Sequence, residues 1–260
     1  MDVLGFSVEL LVFLFSVSVV AGCIDTLAGG GGLISLPALI VSGVPPLAAL
    51  GTNKLQGSMG TATATFMMLK KKQVRWQDVR LLMLAAFIGS TAGTIAVQFI
   101  NTDALNFIIP LVLLLIAIYF ICSPSLGKKN NVAKLQKVAS KSYRRFVVPI
   151  IGGYDGMFGP GTGSFFALAG VSLRGQGLIE STAIAKTLNF ATNIASLIVF
   201  LIAGKVVWAA GLLMMVGQFI GAWVGSHFLV KINPQYLRVI VVVMCLGMLA
   251  KYGHSLGWLA

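Results

Sequence analysis

The chain has 260 residues, of which 57% are hydrophobic and only 10% charged. A soluble domain carries roughly 25% charged residues, so this composition excludes an ordinary soluble protein and places most of the chain in lipid. The formal net charge of +12 does not point to nucleic acid. Its cations gather in two loops between apolar segments, Lys70, Lys71, Lys72, Arg75 and Arg80, then Lys128, Lys129, Lys134, Lys137, Lys141, Arg144 and Arg145, with Trp76 alone interleaved in the first.

The first apolar run, residues 7–24, is read as a membrane span. Val20-Ala21-Gly22-Cys23 resembles a bacterial lipoprotein cleavage box, but Met1–Ser7 contains Asp2 and no Lys or Arg, which argues against a signal peptide. Asp25 and Gly29-Gly30-Gly31-Gly32 then interrupt the run. The apolar piece 33–43 follows; at ~1.5 Å rise per residue it covers about half of a ~30 Å hydrocarbon core. Gly43-Val44-Pro45-Pro46 ends it, and a long helix carrying Lys54 is expected over 47–69. Two conventional spans follow, at about 81–100 and 104–122. The polar, basic stretch 123–145 reads as a linker.

Beyond the linker the plan repeats. An apolar approach (146–153) leads to Asp155 and Gly159-Pro160-Gly161-Thr162-Gly163, then to a short piece at 164–173. Arg174-Gly175-Gln176-Gly177 is the second break, and a long helix at 178–203 carries Lys186. Lys186 lies 132 residues after Lys54, and the same offset places Trp76 on Trp208, Phe87-Ile88-Gly89 on Phe219-Ile220-Gly221, Gly93 on Gly225, and Ile100-Asn101 on Ile232-Asn233. Asp25 and Asp155 correspond at an offset of 130.

The expected fold is therefore an all-α polytopic membrane protein with about eight transmembrane segments of roughly 20 residues each. Two homologous halves, 1–122 and 146–260, flank the basic linker 123–145, each with glycine-broken helices. Secondary transporters often build a substrate site between two such repeats. The span count leaves open whether the repeats are parallel or inverted, and a homo-oligomer is likewise left open. The positive-inside rule assigns the basic loops 70–80 and 128–145 to the cytoplasm. Gly89-x-x-x-Gly93 and Gly217-x-x-x-Gly221-x-x-x-Gly225 predict close helix packing.

The lysines carry the functional reading. Lys54 stands about eight residues past Pro46, ~12 Å into the membrane, and Lys186 about nine past Gly177, ~14 Å. A lysine at the centre of a span costs ~2.5–3.5 kcal/mol on the insertion scale, so both should face a polar cavity or a partner. One reading is a pair of cations lining an anion site; the other is snorkelling, or structural pairing with Asp25, Asp155 or Glu180. Thr52, Asn53, Asn189 and Asn193 add neutral hydrogen-bonding groups on the same helices. Gly30, Gly31 and Gly161 lie where a following helix would aim free N–H groups and a partial positive charge at a bound anion. Asp25 and Asp155 are either proton-coupling carboxylates or local caps of the breaks.

Of the common enzyme signatures, HExxH, CxxC and the P-loop are absent. No cofactor is expected. Cys23, Cys122 and Cys245 lie in apolar stretches and have no metal-ligand spacing. The expected partners are a small anion and the bilayer.

Several of these residues form longer patterns. Ala21-Gly22-x-x-Asp25-x-x-x-Gly29-Gly30-Gly31-Gly32, Pro37-Ala38-Leu39 and Ala49-x-Gly51-Thr52-Asn53-Lys54 resemble the TauE/SafE family of membrane permeases. Tyr154-Asp155-Gly156-x-Phe158-Gly159-Pro160 and Ala185-Lys186-x-x-Asn189-x-x-x-Asn193 are similar to that family's second repeat. The resemblance implies a bacterial inner-membrane transporter of sulfur-containing anions, such as sulfite or organosulfonates. Alternatives in other classes are a passive anion channel and an accessory membrane subunit without flux. Two departures stand out: the second break is Gly-Pro-Gly-Thr-Gly instead of a glycine run, and the approach from Phe146 is too short to span alone. Residues 146–173 are thus either one broken span or a re-entrant hairpin.

Overall fold

A computed structural model describes residues 2–3, 6–122, 140–228 and 254. Most of the linker, and the expected last span with Ile232-Asn233, Leu237 and Cys245, lie outside the described residues. A two-residue hairpin, β1 (Asp2–Val3) and β2 (Phe6–Ser7), precedes the helices. Helix α1 runs Val8–Ala28, α2 Gly32–Val41, α3 Pro46–Lys70, α4 Trp76–Val97 and α5 Thr102–Cys122. After the linker come α6 (Ser140–Ser142), a π-helical turn (Tyr143–Val147) and α7 (Val148–Met157). Helices α8 (Thr162–Arg174), α9 (Leu178–Ile202) and α10 (Trp208–Phe228) complete the described chain.

Local chemistry sets these ends. The Ser7 hydroxyl accepts the Leu10 N–H at 3.3 Å and starts α1. Gly29, at φ 78°, stops it and donates its N–H to the Asp25 carbonyl. Pro46 supplies a preset φ at the start of α3. Helix α4 begins at Trp76, earlier than the expected 81, with an exposed Arg75–Asp78 ion pair of 2.7 Å across its first turn. That carboxylate, through hydrogen bonding first and charge second, also raises the pKa of the exposed Arg75 guanidinium. The two aspartates lie inside helices α1 and α7, not in the breaks that follow.

Neighbouring contacts fix the directions of the helices. Thr52 accepts the Val207 N–H at the start of α10, whereas Thr65 donates to the Lys186 carbonyl near the start of α9. Helices α3 and α9 are therefore antiparallel neighbours. A cavity lined by Lys72, Arg75, Arg144, Arg174 and Glu180 gathers the end of α3, the start of α4, the π turn, the end of α8 and the start of α9 at one face. Because Arg144 precedes α7 and Arg174 ends α8 at this same face, residues 146–173 form a re-entrant hairpin, not one broken span. Helix α4 packs parallel to α7, and α1 parallel to α10.

Glycine makes both parallel pairs close. Added methyl groups at Gly89 and Gly93 would overlap the Pro149 and Gly153 carbonyls, and at Gly217, Gly221 and Gly225 they would strike α1. Hydroxyls add a second bond set: Ser90 meets Ser196 at 2.7 Å, and Thr94 donates to the Gly156 carbonyl at 3.0 Å, so that α4, α7 and α9 are held together.

Polarity runs opposite to that of a soluble protein. Leu81, Leu84, Ile88 and Ile95 of α4 and Leu212, Val216, Phe219 and Trp223 of α10 are exposed, whereas Asn53, Lys54, Gln56, Lys186, Asn189 and Asn193 are buried. Such apolar stripes suit lipid. Trp76 and Trp208, both exposed, sit at opposite faces, as an aromatic belt requires. Among the described residues, α1, α4, α9 and α10 are long and apolar enough to cross a membrane. Helix α3 has the length but is more polar, because its buried face lines the centre of the molecule.

Candidate functional site

The two lysines meet the two aspartates crosswise. Lys54 Nζ of α3 lies 2.9 Å from Asp155 Oδ2 of α7, and Lys186 Nζ of α9 lies 3.2 Å from Asp25 Oδ2 of α1. Lys186 also donates to the backbone carbonyl of Asp25. Both lysine side chains are 1% exposed, and the aspartates 2% and 12%. Snorkelling is thus excluded for either lysine. Burial of an ion pair is tolerable only with good geometry and further hydrogen bonds, and here the helix break supplies one: Asp25 Oδ1 accepts the Gly31 N–H at 3.3 Å. Asp25 therefore both brackets its break and neutralises Lys186. Glu180 takes no part; it is exposed and accepts from Gln176.

Around these pairs lies a small polar cavity of about 30 Å³. Helices α3 and α9 each contribute a face of it: Asn53, Gly57 and Thr61 at four-residue spacing, and Asn189 and Asn193 likewise. Asn193 donates to Asn189 Oδ1 at 3.3 Å and to Thr61 Oγ1 at 3.4 Å, and Ser35 donates to Asn53 Oδ1 at 2.7 Å. The amide groups thus form a linked lining across the α3–α9 contact. A space of this size holds about one water.

The breaks contribute unequally. Gly161, at φ 79°, precedes α8 and lines the cavity, as do Gly29, Gly32 and Gly159. Gly30 and Gly31 were expected there, but the wall is formed by Gly29 and Gly32, because the Gly31 N–H is turned to Asp25. Thr52 is also displaced from the expected role. Its hydroxyl donates to the Ala48 carbonyl and accepts from Val207 N–H, so it ties α3 to the α9–α10 connection.

Ser35, Gly57, Thr61 and Gln218 are lining residues that sequence reasoning missed. The four-residue periodicity from Asn53 marks Gly57 and Thr61. Gln218 was visible as a lone amide in the apolar α10; it is 3% exposed, and its Oε1 has no hydrogen-bond donor among the described residues. No cluster of three or more metal-ligating side chains occurs among the described residues.

Comparison with known proteins agrees with this picture of a membrane protein with a buried polar centre. The "Probable membrane transporter protein" of Haemophilus influenzae is 39% identical over 251 residues, covering 96% of this chain and 97% of its own length. "Probable membrane transporter protein ORF9" of Sinorhizobium sp is 41% identical over 252 residues, covering 95% of each. "Probable membrane transporter protein YfcA" of Escherichia coli K12 is 40% identical over 242 residues, covering 93% of this chain and 89% of the relative. No solved structure matches. The profile of the family described as sulfite exporter TauE/SafE matches residues 14–252, and the chain belongs to that family of membrane transporters.

Proposed function

We propose that this protein is a secondary transporter of small anions, with sulfite and organosulfonates as the substrate class, working through two inverted repeats. Residues 1–122 form the first repeat, 123–145 a cytoplasmic linker and 146–260 the second. The single observation that carries this reading is the crossed pairing of Lys54 with Asp155 and Lys186 with Asp25 around one small polar cavity. A channel would keep a continuous cationic path, whereas a self-neutralised site with no free cation lining it among the described residues suits a carrier. The antiparallel course of α3 and α9 supports inversion, because equivalent helices of inverted repeats enter the membrane from opposite sides.

In this reading Lys54 and Lys186 release their aspartates to hold the anion. Asn53, Asn189 and Asn193 supply neutral donors, and the N-termini of α2 and α8 at Gly32 and Gly161 add partial positive charge. Rocking of the α1–α10 and α4–α7 pairs about the α3–α9 contact opens the cavity to each side in turn. Uptake of labelled sulfite and a small sulfonate by proteoliposomes tests it. Saturable flux with counterflow is expected from the wild type, and at least a hundredfold loss from folded Lys54→Ala or Lys186→Ala. Flux without counterflow would make the protein a channel, and no flux would leave an accessory subunit.

The protein sits in the bacterial inner membrane with its basic face inward. In a variant lacking the three native cysteines, Gln77→Cys should react with an impermeant thiol reagent only from the cytoplasmic side in inverted vesicles. A cysteine at Lys205, across the membrane at the end of α9, should react only from the opposite side.

A further inference from the structure

We infer that this transporter carries its anion together with protons taken up on Asp25 and Asp155, one for each negative charge moved, so that the net movement of charge is zero. The inference rests on the anion-carrier reading above and goes beyond it by naming the co-substrate.

Lys54, Lys186, Asp25 and Asp155 sum to zero in the site, and each ammonium already has a carboxylate at salt-bridge distance. Among the described residues no spare cation lines the cavity to receive an anion. Helices α2, α4, α8 and α10 pack around the four, but their charged side chains, Asp78, Arg80, Arg174 and His227, sit at the helix ends away from the cavity. Glu180 on α9 and Lys70 on α3 are likewise terminal, and the Tyr154 hydroxyl beside Asp155 is committed to the Pro160 carbonyl at 2.6 Å. An anion that takes Lys54 from Asp155 would leave a bare carboxylate in a water-poor interior, which is strongly unfavourable.

A proton resolves this without requiring room. The pair Lys–NH₃⁺···⁻OOC–Asp plus A⁻ plus H⁺ becomes Lys–NH₃⁺···A⁻ plus HOOC–Asp, and the total stays at zero. A sulfonate uses one aspartate in this way, and a dianion uses both.

A second observation fits the same chemistry. Gln218 Oε1 is a buried acceptor in the wall of this cavity, with no donor to it among the described residues. Leaving such a group unmatched is costly. In the loaded state, a carboxylic acid O–H provides the donor that the ion-paired state lacks.

A small sulfonate is the right probe, because it carries no proton of its own near neutral pH and any coupled proton must ride on the protein. Wild-type protein in liposomes should accumulate the sulfonate along an imposed pH gradient, move one proton per sulfonate, and show no response to a potassium diffusion potential. In Asp155→Asn the site gains one net positive charge, so the flux that remains should lose its proton and become sensitive to potential. Saturable wild-type flux that is driven by potential, or by sodium, without proton movement would overturn the coupling and leave the carrier reading intact. Absence of saturable anion flux would instead refute the carrier reading itself.

Discussion

Lys54→Ala is expected to destabilise the folded protein by about 3–5 kcal/mol, while Lys54→Met combined with Asp155→Leu should recover most of that loss. Removing the lysine alone strands a carboxylate that is 2% exposed and 2.9 Å from its only cationic partner among the described residues. Removing both charges leaves an apolar contact of similar volume, which is often as stable as the ion pair it replaces. Thermal unfolding in detergent across the two single variants and the double variant gives the coupling directly. Lys186→Ala should cost at least as much, since that ammonium also serves the Asp25 carbonyl. The exposed Arg75–Asp78 pair is the internal control, and Arg75→Ala should leave the unfolding curve unmoved. Near-additive effects at Lys54 and Asp155 would show that the pair is not a unit. The double variant should remain inactive in transport, so stability and function separate in one experiment.

Gly93→Ala should be nearly as disruptive, although it adds a single methyl group. That methyl would overlap the backbone carbonyl of Gly153 on α7, and neither helix can yield without parting the Thr94–Gly156 and Ser90–Ser196 hydrogen bonds. Overpacking of this kind costs about 1–3 kcal/mol, and the backbone contact places it at the upper end. Gly153→Ala, on the facing helix, meets its nearest neighbour at 3.5 Å and should be neutral. Gly57→Ala also finds room at 3.5 Å, but against Asn193 in the cavity wall. It should therefore keep the melting temperature and lose transport. Equal melting temperatures for Gly93→Ala and Gly153→Ala would refute the proposed packing.

Much of this arrangement was legible because lipid restricts what a chain can do. A lysine eight residues inside an apolar helix needs a partner, and a ten-residue apolar helix cannot cross alone, so the residues around Lys54 and the boundaries of α2, α3, α8 and α9 could be read within a residue or two. The GxxxG spacing likewise named the close faces of α4 and α10. Pairing was not legible. Which aspartate serves which lysine depends on α3 and α9 lying antiparallel, and nothing local in Gly51-Thr52-Asn53-Lys54 encodes that. Thr52 and Gly31 show the same limit: residue type marked both as donors toward an anion, but the helix register turned one to Val207 and the other to Asp25. Gln218 escaped notice because a single amide among glycines and apolar residues carries no periodic signal.

The crossed pairing also constrains the order in which the protein is made. Lys54 enters the membrane about a hundred residues before Asp155 is synthesised, and Asp25 waits longer still for Lys186. Until then each first-made helix holds a charge that costs ~2.5–3.5 kcal/mol at the centre of a span. The early helices must therefore remain shallow, or in contact with the insertion machinery, and settle only when α7 and α9 arrive. The fold around the lysines closes only once α9 has been made, and a chain that stalls in the linker keeps its charges unmatched.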